Sequence, residues 1–148
     1  MPPIIRHHTF DTRDALDDAL YALMEKELSL HLPRPHAVML SGGSTPVPVY
    51  ERIAQQPFSI APTACVTYSD DRHVPADSPE SNYGVTRPML QALGLPEERV
   101  LRVETERPLD DAAEHFHNVL ADFMLAGGRI TLALLGIGSD GHTCSLFT

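Results

Sequence analysis

The chain has 148 residues and a formal net charge of −9 at pH 7, with 11 Lys and Arg against 20 Asp and Glu. That size is one domain with room for a real core, and a pI near 5.2 argues against nucleic acid and anionic membrane as partners. No apolar run approaches membrane-spanning length, the amino terminus MPPIIRHHTF lacks a signal peptide's apolar core, and Cys65 and Cys144 match no metal-site spacing, so a reduced, cytoplasmic protein without a metal centre is expected. An anionic ligand must then be held by local donors against an unfavourable overall field.

In chain order, residues 11–32 carry Leu16, Leu20, Leu23, Met24, Leu28 and Leu32 at helical spacing, with Asp11 or Thr12 as cap and Pro33 as the stop. Residues 37–40 are a short apolar strand that runs into Ser41-Gly42-Gly43-Ser44-Thr45-Pro46, and Val47, Val49, Tyr50 and Ile53 continue as a helix with proline in its first turn. Residues 64–69 (ACVTYS) form the next strand. It ends in Asp70-Asp71-Arg72-His73, followed by a polar loop and a helix from Ser81 to about Leu93 with Pro88 inside it. Val100, Leu101 and Val103 mark a short strand, and residues 109–126 a helix closed by Gly127-Gly128. His115 and His117 on that helix have no partner at ligand spacing and are expected at the surface.

Residues 131–148 read TLALLGIGSDGHTCSLFT. The apolar start has no alternation, which predicts a strand buried on both faces with neighbours on both edges. Gly136, Gly138 and Gly141 then crowd one turn, where positive φ or close approach is expected. Asp140 and His142 sit inside it, and residues 143–147 are expected to begin a helix. Strands alternating with helices predict an α/β fold: a doubly wound, mostly parallel, three-layer sheet with helices on both faces. If the strand at 37–41 lies beside the strand at 131–135, the two glycine turns meet across a switch-point crevice. The first turn pairs glycines with Ser41, Ser44 and Thr45 and with the free N–H groups of a coming helix, an arrangement suited to an anion. It is neither a Walker loop nor the dinucleotide fingerprint.

Three segments in this order, LSGGSTP (residues 40–46), DDRHVPADSPESNYG (70–84) and LLGIGSDGHTCSLF (134–147), together resemble the 6-phosphogluconolactonase family, within a group that includes glucosamine-6-phosphate isomerase/deaminase. Asp70-Asp71-Arg72 with Val74-Pro75, and Cys144-Ser145-Leu146-Phe147, favour the lactonase side of that group. Departures are Asp71 in place of Glu, His73 where Trp is usual, Cys144 in place of Ala, and Thr148 at the usual Pro position. The resemblance implies hydrolysis of 6-phospho-D-glucono-1,5-lactone in the oxidative pentose phosphate pathway, with no cofactor.

On that reading His142 is the general base that deprotonates the attacking water, and Asp140 orients its ring or favours the imidazolium. Gly42, Gly43, Ser44 and Thr45 hold the phosphate or sugar hydroxyls. Arg72 clamps the phosphate or meets the reacting carbonyl, and Asp70 fixes the loop or Arg72. Two other readings are an amino-sugar phosphate isomerase/deaminase and a non-catalytic sugar-phosphate-binding fragment. Lactonases continue well past the Ser-Leu-Phe motif. A polypeptide of residues 1–148 alone is therefore expected to be inactive and to self-associate or lose order near its end.

Overall fold

A computed structural model describes residues 3–147. Helix α1 (Arg13–Leu28) starts where the Thr12 hydroxyl accepts from Ala15 N–H at 3.1 Å, as a threonine cap should. It ends four residues before the expected stop at Leu32. Ser29 leaves the helix to donate to the Ser59 carbonyl, and the last helical carbonyl, Leu28, accepts from Ala61 N–H at 2.8 Å. A tertiary bond, rather than the downstream prolines, closes this helix.

The chain then alternates: β1 (His36–Leu40), α2 (Val47–Gln55), β2 (Ala64–Tyr68), α3 (Asn82–Ala92), a 3-10 turn at Glu97–Arg99, β3 (Val100–Leu101), α4 (Leu109–Leu125) and β4 (Arg129–Ala133). The strands form one parallel sheet in the order β3-β2-β1-β4. The expected three-layer architecture is present. Met24 and Leu28 of α1, Val49 and Ile53 of α2, and Met89 and Leu90 of α3 pack with Val38, Leu40 and Val66 on one face. Phe123 of α4 packs with Ala37, Cys65 and Leu101 on the other. Alternate strand residues feed the two clusters, so β1 and β2 are buried on both sides.

Two expectations are corrected here. The strand expected at residues 131–135 lies two residues earlier and is not buried on both faces. Among the described residues β4 pairs only with β1, and it is exposed except at Leu132. Its apolar run records what the residues can bury, whereas burial depends on what packs against them. The helix expected at residues 143–147 is also absent. Thr143 and Leu146 form an isolated antiparallel bridge, and Cys144 takes a left-handed φ of 53° that cannot propagate a right-handed helix.

Because β4 returns to the far side of β1 after the chain has stepped outward through β2 and β3, the winding direction reverses between β1 and β4. That is the switch point of the fold, and all the strand carboxyl ends lie on the same side of the sheet. The conditional expectation is met: Met39 faces Ala133 in register, and the turns after β1 and β4 leave the sheet side by side.

Candidate active site

A crevice of about 560 Å³ opens at the β1/β4 switch point, a volume suited to a small metabolite. Gly42, Gly43, Ser44, Thr45, Asp70, Arg72 and His142 line it. Asp140 does not; it stands behind His142.

The first wall is the turn after β1. Gly43 takes φ +93°, which L side chains rarely adopt. Among the described residues the N–H groups of Gly42, Gly43, Ser44 and Thr45 donate to nothing. α2 follows from Pro46 with no side-chain cap. The turn therefore presents unsatisfied donors at the positive end of a helix. Two residues that sequence reasoning passed over hold it in place. The Tyr50 hydroxyl, whose pKa burial pushes well up, donates to the Ser41 carbonyl at 2.8 Å. From the first turn of α1, the Arg13 guanidinium donates to the Thr45 carbonyl. A tyrosine read only as an apolar helix position, and an arginine from a different element, gave no local signal of this role.

The second wall follows β2. Here adjacent aspartates divide the work. The Asp71 carboxylate caps α3, accepting from Asn82 N–H at 2.7 Å, Arg72 N–H at 2.8 Å and Tyr83 N–H at 3.1 Å. The Asp70 carboxylate accepts instead from Ser69 Oγ at 3.0 Å and from Ser145 Oγ at 2.7 Å. No bond joins Asp70 to Arg72; Asp70 ties the turn after β2 to the turn after β4. The Arg72 guanidinium makes no ion pair among the described residues, its one contact being the Glu80 carbonyl at 3.4 Å.

The third wall is the turn after β4. Gly138 N–H donates to the His142 carbonyl at 2.7 Å, and Gly141 N–H to the Gly138 carbonyl at 2.9 Å. Of its glycines, Gly141 has the expected positive φ of 88°, and Gly138 has the expected close approach, since a Cβ there would strike the His142 ring and the Asp140 carboxylate. Gly136 shows neither. His142 Nδ1 is bonded to Asp140 Oδ1, and the ring packs on Phe147 with centroids 5.0 Å apart. A carboxylate can only accept, so Nδ1 carries the proton and the neutral ring has its lone pair on Nε2.

The hydrogen bonds from His142, ring first and backbone second, hold the Asp140 carboxyl below the usual aspartate range. A depressed pKa in the folded state means the pair contributes stability above the ordinary range and loses it as pH falls through the lowered value. An NMR titration of Asp140 should therefore place its midpoint below 3.8; a midpoint at or above that value would show that the pair is not formed. Among the described residues no His, Cys, Asp and Glu cluster has the makings of a metal site. Both cysteines are free thiols, and among the described residues no helix is long and apolar enough to cross a membrane.

An open, doubly wound α/β sheet brings unsatisfied N–H groups, which can hold an anion, and a carboxylate-paired histidine, which can exchange a proton, together at its switch point, the arrangement of an α/β protein with a small-ligand crevice. Residues 11–148 match the family model described as glucosamine-6-phosphate isomerases/6-phosphogluconolactonase, and the chain belongs to that family. It is 36% identical over 113 residues to the 6-phosphogluconolactonase of Thermotoga maritima, across 74% of this chain and 49% of that protein. It is 37% identical over 123 residues to the human 6-phosphogluconolactonase, across 75% of this chain and 46% of that one. The crystal structure of the Thermotoga maritima enzyme superposes with a TM-score of 0.71 at 32% identity, over 92% of this chain and 60% of that one. That of the devB protein gives 0.82 at 30% identity, over 97% and 63%. The chain thus spans about half the length of the curated relatives it matches.

Proposed function

We propose that the chain carries the lactone-hydrolysing site of a 6-phosphogluconolactonase, converting 6-phospho-D-glucono-1,5-lactone to 6-phosphogluconate in the oxidative pentose phosphate pathway. The observation that carries the reading is the meeting, in one crevice, of the carboxylate-oriented His142 and the unsatisfied N–H groups of the Gly42–Thr45 turn. The names of the relatives supply the substrate.

A lactone is an ester, so hydrolysis begins with water adding to the C1 carbonyl. His142 Nε2 takes the proton from that water, and Asp140 stabilises the imidazolium that results. The carbonyl oxygen becomes an oxyanion, held by N–H donors of the glycine turns. Collapse reforms the C1 carbonyl and breaks the C1–O5 bond, and the proton on His142 passes to the departing ring oxygen. Gly42, Gly43, Ser44 and Thr45 hold the phosphate or sugar hydroxyls. Arg72, free of ion pairs among the described residues, serves as the phosphate clamp, and Asp70 keeps the turn after β4 in register with it. No cofactor is needed for these steps.

The test compares, in the full reading frame that carries these residues, lactone hydrolysis above its spontaneous rate with ammonia release from glucosamine 6-phosphate; the 1–148 polypeptide alone is expected to be inactive. Turnover of the lactone alone is expected. Ammonia release alone would make the protein an isomerase/deaminase, and thermal stabilisation by 6-phosphogluconate without turnover of either substrate would leave only binding.

Arg72→Ala should lower efficiency about tenfold or more for the phosphorylated lactone and little for unphosphorylated gluconolactone, with Ser44→Ala acting in the same direction. An equal loss on both substrates would rule out the clamp. The charge of −9 and the free thiols fit a cytoplasmic protein without nucleic acid partners. We include in the proposal self-association of a 1–148 polypeptide through the open edge of β4, where Ile130 is exposed; size-exclusion chromatography reads it.

A further inference from the structure

Asn82 is the first residue of α3 and is only 8% exposed. Its side-chain amide donates to the Asp70 backbone carbonyl at 2.9 Å. That bond fixes the orientation of the group, since a carbonyl accepts only from the NH2 end. The side-chain oxygen therefore faces the other way, onto the backbone of Gly42. A Cβ at position 42 would overlap this oxygen outright and lie 2.7 Å from Asn82 Cγ. Gly42, whose φ is not positive, is needed here for space rather than for backbone freedom.

No described residue donates to the Asn82 oxygen. Nor is it sealed off: among the described residues the sealed side-chain polar atoms without partners are His36 Nδ1 and His115 Nδ1. Asn82 and Gly42 both line the switch-point crevice, so the free acceptor opens into it. A nearly buried acceptor without a protein donor is a place for a donor from outside. The glycine turn and Arg72 supply donors, which suit a phosphate. An acceptor held rigidly beside them suits a hydroxyl.

We propose that the Asn82 side-chain carbonyl determines specificity by accepting a hydrogen bond from one hydroxyl of the sugar-acid ligand, with Gly42 kept bare so that it can reach the crevice. The proposal rests on the sugar-phosphate reading above and adds to it a residue that selects the hydroxyl pattern rather than the phosphate. Asn82 does no chemistry in this role; it separates a polyhydroxylated ligand from a deoxygenated one.

Isothermal titration calorimetry with 6-phosphogluconate and its 2-deoxy, 3-deoxy and 4-deoxy counterparts tests it. Wild-type protein should bind one of the deoxy compounds about 5–10-fold more weakly than 6-phosphogluconate. Asn82→Ala should weaken 6-phosphogluconate by a similar factor and no longer distinguish that compound from it. Gly42→Ala, whose methyl group displaces the oxygen, should lose the same discrimination, and it decides the matter alone if Asn82→Ala does not fold. Inorganic phosphate, which needs only the donors of the glycine turn and Arg72, should bind Asn82→Ala as it binds wild type. Should wild type and both variants lose the same factor on removal of each hydroxyl, the oxygen reads none of them, and Asn82 serves only to brace the Asp70 carbonyl. Failure of the wild-type protein to bind 6-phosphogluconate at all would instead overturn the sugar-phosphate reading together with this one, so the two failures are told apart.

Discussion

In the full reading frame that carries these residues, His142→Ala should lower lactone turnover by about 10²–10⁴-fold, the usual contribution of a positioned general base, while leaving the circular dichroism spectrum unchanged. The ring is held by contacts on three sides. Asp140 takes the Nδ1 proton, Phe147 packs on the ring, and Gly138 leaves room for the ring. None of these contacts uses Nε2, so its lone pair is available to water. His142→Asn should be as impaired, because an amide can accept a hydrogen bond but cannot take the proton. A coupled assay corrected for spontaneous hydrolysis measures both variants. Activity within a few-fold of wild type would move the base elsewhere in the crevice.

Asp71→Ala should cost about 2–3 kcal/mol of folding stability, seen as a lowered urea midpoint. One carboxylate here satisfies the Asn82 and Tyr83 N–H groups at the start of α3 and the Arg72 N–H of the preceding turn. Its negative charge also sits at the positive end of an 11-residue helix. Removing it strands two partly buried donors, the Asn82 and Tyr83 N–H groups, and the exposed Arg72 N–H, with Ser81 Oγ left to cap only Gly84 N–H at 3.0 Å. Asp71→Asn keeps an acceptor but loses the charge and should fall between. The effect reaches the crevice as well, because Asn82 and Arg72 are anchored by the same group, so binding of 6-phosphogluconate should weaken in parallel. A loss below about 0.5 kcal/mol would show that water replaces the cap at little expense.

Much of this was legible in residue order. The apolar spacing of Leu20, Leu23, Met24 and Leu28, the Thr12 cap, and the proline after Ser44-Thr45 are local signals, and the helices they mark lie where that spacing puts them. The alternation of strands and helices was legible for the same reason, as was the presence of chemistry-bearing turns after three strands. Each depends on interactions among residues close in sequence. The helix expected after His142 failed on a local ground too. Its composition permits a helix, but the left-handed Cys144 and the Thr143–Leu146 bridge close a turn instead.

Which turns meet was not legible. Strand order in a parallel sheet is set by how crossovers pack, and the sequence is equally compatible with other neighbours for β4. Only the pairing of β1 with β4 brings His142 to the glycine turn after β1. The burial of β4, the early end of α1, the division of labour between Asp70 and Asp71, and the placement of Arg13 and Tyr50 likewise depend on groups distant in sequence. Residue order by itself determined most of the elements, the family and the residue types available for chemistry, because short-range sterics, periodicity and capping act within a few residues. The tertiary structure alone decided which of those residues share a crevice and which hydrogen-bonding groups are left free in it, because donors and acceptors find their partners through space.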